Sequence, residues 1–274
     1  MFFRSYTYST QPTKTFQTGS EVLRLMYTAI DLWFLGYADA ALQRLQTMFT
    51  LAQELAHPFN LVVAQGGAAW LQRCRRDIPE TQARAEAALT LATEQGNPYW
   101  MATGALLRGW ARTAQGLTAY RATGAALFWP FWLAMLAEAY GQVGQADEGL
   151  HTLDEALTQV DKTGERFWEA ELYRLQGALL VIQGLGKGSA RTTAPGPSIM
   201  AEAEASFQQA LAVARSQEAK ALELRAAMSL SRLWQQQGKR TEAHALLAPI
   251  YGWFTEGFDT ADLQDAKALL EALA

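Results

Sequence analysis

Residues that commonly catalyse reactions or bind metals are few in this sequence of 274 residues, and they are far apart. Neighbouring histidines among His57, His151 and His244 are separated by about a hundred residues. Because a metal site needs several donor atoms close together, we expect none of the three to bind a metal. Cys74 could act as a nucleophile only beside a base, and the nearest histidine, His57, is expected on another helix. We therefore interpret Cys74 as a small buried thiol.

Two nearby carboxylates, Glu169 and Glu171, raise the question of acid–base catalysis. Residues two positions apart point to different faces of a helix, so the two side chains do not form a paired site. We expect Glu165, Glu169 and Glu171 to lie at a helix N-terminus and on solvated faces, where negative charge is favourable.

The glycine-rich segment 184–189, with the sequence GLGKGS, comes nearest to a phosphate-binding motif. A P-loop requires G-x-x-x-x-G-K-[ST] between a strand and a helix, so that backbone amides surround the phosphate. Here Val181 occupies the first glycine position and Gly188 follows the lysine. We therefore predict an exposed loop at this segment, and no catalytic residue and no cofactor in the chain.

The composition excludes several classes of protein. Half of the residues are hydrophobic and 18% are charged, which is too apolar for an intrinsically disordered chain. The net charge is −4 and the 23 Lys and Arg residues form no basic stripe, so we expect no nucleic-acid partner. No apolar run approaches the roughly 18 residues that cross a bilayer, and the first residues lack the apolar core of a signal peptide. These features predict a cytoplasmic protein with no membrane partner.

An internal repeat organises the elements that must position any site. Its clearest copies are LTAYRATG at 117–124, LTQVDKTG at 157–164 and LTLATEQG at 89–96. Three of the five steps between copies are 40 residues long, whereas a step of 54 contains an insertion and a step of 28 indicates a shortened unit after Gly116. The copies begin at Phe49, Leu89, Leu117, Leu157, Leu211 and Tyr251.

Each unit is predicted to be a pair of helices, because apolar residues recur three and four positions apart and strong helix breakers lie only at the joints. The unit from Leu133 to Leu157 follows the tetratricopeptide (TPR) order, with small residues where two helices cross and large residues where hairpins stack. The fold class predicted is all-α, a right-handed α-solenoid of TPR-like helix hairpins with a period of about 40 residues, which forms a continuous curved rod. The turn inside each hairpin needs a left-handed backbone, which favours glycine, and we assign it to Gly36, Gly116, Gly144, Gly184 and Gly238.

One repeat domain is expected over residues 21–274, ending in a capping helix near 262–273. Segment 185–198 is rich in Gly, Ser, Thr and Pro and lacks an apolar period, so we predict a flexible insertion there. Residues 1–20 fit no repeat and are expected to form an irregular leader.

The chain resembles the TPR-like C-terminal region of large bacterial signalling proteins, in which a nucleotide-cyclase domain, a STAND/AAA-type ATPase, or both precede a helical repeat array. The resemblance spans roughly residues 22–274 and is most specific at 164–175, 223–240 and 247–263. The chemistry of that family lies in the cyclase and ATPase domains, which this sequence lacks. The resemblance therefore implies a non-catalytic role and assigns no catalytic residue here.

Side chains on the concave side of the solenoid are the candidate site, because the first helices of tetratricopeptide hairpins line that side. Trp70 and Trp110 fall on equivalent positions of neighbouring units, where packing does not require large rings. Other aromatic residues in helical register more often pack between hairpins, so we assign Phe128, Trp129, Trp132, Phe167 and Trp168 to the core or the joints. The predicted groove residues are Trp70, Trp110, Phe131, Glu138, Glu171, Arg174, Arg225, Met228 and Arg232.

The expected function is that of a non-catalytic scaffold or regulatory sensor arm of a bacterial signalling system. It would bind a protein or peptide partner in the concave groove, and the partner could be a cyclase or ATPase domain. One alternative is a small-molecule receptor, in which the concave pocket takes a sugar or a metabolite. Another is a remnant of a larger cyclase or ATPase regulator, which the shortened unit and the atypical N-terminal segment suggest.

Overall fold

The fold is all-helical, as predicted: a computed structural model describes the backbone of residues 14–108, 113–187 and 197–274, and these ranges contain thirteen α-helices and no strand. None of the helices in these ranges is long and apolar enough to cross a membrane. The helices are α1 (Lys14–Phe34), α2 (Ala38–Leu55), α3 (Pro58–Arg75), α4 (Ile78–Glu94), α5 (Pro98–Arg108), α6 (Thr113–Ala122), α7 (Trp129–Gln142), α8 (Ala146–Thr163), α9 (Glu169–Lys187), α10 (Pro197–Ser216), α11 (Lys220–Gln236), α12 (Arg240–Tyr251) and α13 (Ala261–Leu273).

Consecutive helices pack as antiparallel hairpins, α1 with α2 through α11 with α12, and α13 follows the last pair. The odd-numbered helices also contact one another, α1 with α3, α3 with α5, α7 with α9 and α9 with α11, so they form an inner layer. Small residues permit the close crossings within hairpins. A Cβ added to Gly149 of α8 would lie 3.1 Å from the Ala137 carbonyl oxygen of α7, and one added to Gly177 of α9 would lie 3.0 Å from that of Ala203 in α10.

The turns inside the hairpins follow the glycine prediction only in part. Gly36, Gly144 and Gly238 have positive φ values of 95°, 77° and 80°, as the left-handed turn requires. The assignment is wrong for Gly116 and Gly184, which lie within α6 and α9. Gly116 is instead a packing residue, because an added Cβ would lie 2.8 Å from the Leu106 side chain.

The predicted boundaries change in two places. Helix α1 begins at Lys14, so the expectation of an irregular leader is wrong for 14–20, and residues 1–13 lie outside the described residues. Residues 185–187 form the last turn of α9, and 197–198 begin α10. The remainder of the predicted insertion, residues 188–196, lies outside the described part of the chain.

The first hairpin meets the last segment of the chain, so the inner layer closes on itself instead of forming the expected rod. Glu256 Oε1 accepts hydrogen bonds from the backbone amides of Asp39 (3.0 Å) and Ala40 (3.1 Å) and thereby caps the N-terminus of α2. A Cβ added to Gly36 would lie 2.7 Å from the Trp253 ring, so a glycine is also needed for this approach. Helix α1 also contacts α11, which completes the closure.

Candidate functional site

A cavity of about 200 Å³ lies at the centre of the closed inner layer, and we call it the arginine cavity. Its wall is formed by the C-terminal end of α3, the middle of α7, the start of α9, the middle of α11 and the first turns of α13. Five guanidinium groups and four carboxylates line it: Arg73, Arg76, Arg174, Arg225, Arg232, Glu138, Glu171, Asp262 and Asp265.

Arg225 on α11 is the most completely bound of the five arginines, and it is buried. Its Nε donates to Asp262 Oδ2 (2.7 Å) and its Nη2 donates to the Cys74 carbonyl oxygen (2.5 Å). The guanidinium carbon lies 4.9 Å from the centroid of the Trp33 ring, a cation–π distance. Burial alone would lower the pKa of Arg225, but Asp262 and Glu171 outweigh it and raise the pKa above its usual value.

Glu171 is the acidic counterpart of Arg225 at the start of α9. It accepts two hydrogen bonds from Arg174, from Nε at 2.9 Å and from Nη2 at 2.8 Å, and it lies 3.7 Å from Arg225 Nη1. Burial would raise the pKa of the Glu171 carboxyl, but the two guanidinium groups outweigh it and lower the pKa to about 2. The expectation that Glu169 and Glu171 lie on solvated faces is wrong, because both are buried and paired with arginine.

The other three arginines make fewer or longer contacts with acceptors. Arg76 Nη1 donates to Asp262 (3.2 Å) and Asp265 (2.8 Å), whereas Arg232 approaches only Asp265, at 3.8 Å. Burial lowers the pKa of Arg232. Repulsion from Arg76 and Arg174 lowers it further, and attraction to Asp265 offsets only part of the change. Arg73 Nη2 donates to Glu138, but Arg73 Nε is buried without a hydrogen-bond partner. The cavity therefore holds one excess positive charge and donor groups that nothing in the described structure accepts.

Seven of the nine predicted groove residues line the arginine cavity. Phe131 and Met228 form its apolar wall and are buried, so they support the cavity more than they present a surface. Trp110 lies outside the described residues. The charged members are Glu138, Glu171, Arg174, Arg225 and Arg232.

Trp70 does not line the arginine cavity, and its assignment to an open groove is wrong. It is 6% exposed, and its ring packs against Phe128 and Phe131 with centroids 4.6 and 5.2 Å apart. The other aromatic assignments are confirmed. Each of those side chains is buried, namely Phe128, Trp129, Trp132, Phe167 and Trp168.

Trp70 borders a second cavity of about 320 Å³, which we call the aromatic cavity. It lies between α1, α3 and α5 and the N-terminal end of α7, and its lining is mostly apolar. The rings that form its wall are those of Tyr27, Phe59, Trp70, Tyr99, Trp100, Phe128 and Trp132.

Sequence reasoning missed Arg73, Arg76, Asp262 and Asp265, although they supply almost half of the charged lining. Arg73 and Arg76 belong to the last turn of α3 and the residue after it, beyond the positions that the unit alignment compares. Asp262 and Asp265 belong to α13, which the repeat pattern suggests only as a cap. A possible signal was their spacing, because residues three apart share one helix face and therefore point acidic groups in one direction.

Cys74 and His57 both have structural surroundings. Cys74 is buried as predicted, and burial raises the pKa of its thiol to about 12, so the nucleophilic thiolate is not populated at neutral pH. His57 caps the N-terminus of α3, where its Nδ1 accepts from the Phe59 backbone amide at 3.2 Å. Within the described ranges, no three His, Cys, Asp or Glu side chains come together as metal ligands would.

Comparison with known proteins assigns no family to this chain. The sequence matches no family model. It is similar to an uncharacterized protein of Rhizobium meliloti (strain 1021), with 24% identity over 226 residues that cover 78% of this chain and 21% of that protein. The chain therefore spans about a fifth of the length of this curated relative.

Proposed function

We propose that the chain is a non-catalytic helical-repeat sensor domain whose arginine cavity binds a small anionic molecule that carries a carboxylate or a phosphate. The observation that carries the proposal is the surplus of donors. Five guanidinium groups face four carboxylates, Arg73 Nε has no acceptor, and Arg232 approaches a carboxylate only at 3.8 Å. An oxyanion would accept hydrogen bonds from these groups and neutralise the excess charge.

The energetic argument concerns the cost of burying an uncompensated cation. A guanidinium group removed from water loses solvation, and only opposite charges and acceptors in good geometry recover that loss. Arg73 shows this deficit, because its Nε is buried without an acceptor among the described residues, whereas Arg232 keeps 47% of its side chain exposed and is still partly solvated. A bound anion would accept a hydrogen bond from Arg73 Nε, so part of its binding energy comes from a donor that the empty protein leaves unpaired.

A small-molecule receptor is better supported than a groove that captures a peptide segment. A peptide held in a groove needs an accessible surface along several helices. Here α1, α3 and α5 contact one another in sequence, as do α7, α9 and α11, and Trp70, Phe131 and Met228 are buried. The cavity volume of about 200 Å³ is below the roughly 300–1,000 Å³ of pockets that bind drug-sized molecules. A metabolite of a few carbon atoms fits these dimensions.

The finer features of the architecture and context belong to the same proposal. We propose that the hairpins are of the TPR type in a right-handed superhelix, supported by the small residues at the crossings of α7 with α8 and of α9 with α10. We also propose that the domain serves a bacterial signalling protein, as the resemblance of segments 164–175 and 247–263 implies. Binding of the anion would then stabilise the closed arrangement of the inner helices.

Calorimetric titration and thermal unfolding test the proposal. We expect inorganic phosphate or succinate, but not glucose, to raise the unfolding midpoint with increasing concentration, as mass action requires for a ligand of the native state. Arg232→Gln should weaken binding of that anion by roughly tenfold or more, since hydrogen bonds to charged groups contribute about 1.5–3 kcal/mol. Arg84→Gln is the matched control, because Arg84 pairs with Glu80 on α4 and does not line the cavity. Equal affinity of both variants, or no response to either anion, would contradict the proposal.

A second candidate function is binding of a partner protein on the outer surface of the helical layers. Tyr37 and Trp253 are 39% and 38% exposed, and their ring centroids lie 5.7 Å apart at the junction of the first hairpin with the last segment. Phe258, in the same last segment, is half exposed. Exposed aromatic side chains that lie together are typical of contact sites for other proteins.

A further inference from the structure

The aromatic cavity is lined by two tryptophans, Trp70 and Trp132, whose indole N–H groups are buried. That of Trp132 lies within reach of the Tyr120 hydroxyl, whereas that of Trp70 has no acceptor in the described part of the chain. Buried donors in folded proteins almost always have an acceptor, because an unpaired donor has lost its hydrogen bonds to water without replacing them. The Trp70 donor therefore requires an explanation.

Trp70 is the more informative of the two. The rings packed against it are those of Phe128, Phe131 and Phe167, which carry no acceptor atom. Trp132, in contrast, lies beside the hydroxyl-bearing ring of Tyr120, with centroids 5.7 Å apart. A small rotation could give the Trp132 N–H an acceptor within the protein, whereas none of the ring neighbours of Trp70 offers one.

The size of the cavity is the second observation. Protein interiors are close-packed, and a void weakens the dispersion contacts of every group that lines it. Elsewhere in the same wall the packing is tight. A Cβ added to Gly66 would lie 2.4 Å from the Trp100 ring, and one added to Gly67 would lie 2.4 Å from Met26 Cγ. A volume of about 320 Å³ between such closely fitted helices has the dimensions of a ligand site and not of a packing defect.

We propose that the aromatic cavity binds a planar, mostly apolar molecule with a carbonyl oxygen or ring nitrogen that accepts the Trp70 N–H. The aromatic wall supplies contact area and offset stacking for a flat ring system. The indole N–H supplies the one directed contact, which selects acceptor-bearing molecules over hydrocarbons of the same shape. This site is distinct from the arginine cavity in chemistry, since its lining carries no arginine or carboxylate.

A matched pair of probes tests the inference, 1-indanone and its carbonyl-free counterpart indane. Nitrogen-15 labelling of tryptophan gives a separate indole N–H resonance for each side chain, and Trp70→Phe identifies that of Trp70. We expect 1-indanone to shift the Trp70 resonance downfield and to bind roughly three- to tenfold more tightly than indane, as one neutral hydrogen bond gives. The resonance of Trp253, on the outer surface, is the internal control and should not move.

Two variants separate binding in the cavity from binding elsewhere. Thr103→Phe places a ring in the cavity, and the hydroxyl that it removes donates to the Tyr99 carbonyl within the same helix, α5 (2.9 Å). It should abolish binding of both probes while the helical circular dichroism is kept. Trp70→Phe retains the cavity, so it should still bind both probes but with equal affinity. The inference is overturned if 1-indanone moves no Trp70 resonance up to its solubility limit, or if its advantage over indane persists in Trp70→Phe.

Discussion

The arginine cavity and the aromatic cavity are formed by the same inner layer of helices, yet different forces hold them. Around the aromatic cavity, rings such as Phe128 and Trp132 bury apolar area, and this stabilisation has no direction and is spread over many contacts. Around the arginine cavity, Arg225, Glu171 and Asp262 have lost their water and depend on particular partners. The first region should therefore tolerate change, whereas the second should respond sharply to the loss of one group.

Aromatic rings also border the charge cluster, at Trp33 on α1. One side of its ring lies near the Arg225 guanidinium at 4.9 Å, and the Trp168 ring is stacked against it at 6.3 Å between centroids. The apolar rings therefore form part of the low-dielectric surroundings of the charge cluster, in which charge pairs are stronger and unpaired charges cost more.

The largest difference between the regions should appear when one buried group is removed from each. Arg225→Met removes the closest partner of Asp262 and the second cationic neighbour of Glu171, so we expect the free energy of unfolding to fall by about 3–5 kcal/mol. Phe128→Leu is the counterpart at the aromatic cavity, and it should cost only about 1 kcal/mol because it keeps most of the apolar volume. Urea unfolding of both variants and the wild type measures the two losses.

A third variant tests whether unpaired acids cause the larger loss. If they do, changing Asp262→Leu together with Arg225→Met should recover most of the stability, since apolar residues of similar volume commonly replace buried ion pairs without loss, and Glu171 keeps its two hydrogen bonds from Arg174. Additive losses in this double variant would show instead that Arg225 acts mainly through its contact with Trp33.

The pH dependence should have opposite signs in the two regions. The pKa of Glu171 is about 2 in the folded protein and near 4.5 in the unfolded chain. Its stabilisation is therefore complete above pH 5 and is lost as the pH falls toward 2, with a magnitude of about 3 kcal/mol. Unfolding free energies measured from pH 2 to pH 7 should decline more steeply on the acid side for the wild type than for Glu171→Gln.

Glu165 is the corresponding group at the aromatic region. Burial raises the pKa of its carboxyl to about 7, against a hydrogen bond with the Phe128 backbone. Because the pKa of Glu165 is higher in the folded protein than in the unfolded chain, the folded state is favoured when the carboxyl is protonated. The free energy of unfolding is therefore highest below pH 4.5, and it falls as the pH rises through 7. Glu165→Gln should remove this decline between pH 5 and pH 8 and leave the acid limb unchanged. A wild-type profile that is flat in that interval would contradict the difference between the regions.

The sequence predicts the helices and most of the charged cavity because both depend on local patterns. Apolar spacing and small residues at the crossings give the hairpins, and alignment of the hairpins places Glu171, Arg174 and Arg225 on one face. Left-handed turns were found only where glycine supplies them. Other turns carry Ala56 (φ 47°), Arg76 (φ 64°) and Glu218 (φ 56°), whose residue types disfavour this conformation and whose backbone N–H groups donate to carbonyl oxygens of the preceding helix.

What the sequence could not give is the closure of the inner layer, because that depends on contacts between residues about 200 positions apart. Glu256 caps α2, and Arg76 binds Asp262 and Asp265 of α13. A repeat pattern describes neighbouring units and contains no information on how much each unit rotates. The same rotation between units encloses Trp70, so the repeat pattern could not predict its burial either.

The smallest predicted effect concerns salt, at the exposed edge of the charge cluster. Arg76 is partly exposed and pairs with Asp265 at 2.8 Å, so Arg76→Gln should lower the free energy of unfolding by only about 0.5–1 kcal/mol at low ionic strength. Because the Debye length shrinks from about 10 Å at 0.1 M salt to about 3 Å at 1 M, this loss should shrink in 1 M sodium chloride. The loss in Phe128→Leu should not shrink, since burial of apolar area does not depend on screening of charge. If both variants showed the same salt response in urea unfolding, apolar contacts and not ion pairs would hold α13 against α3. The interior would then not divide into a charged and an aromatic region at α13.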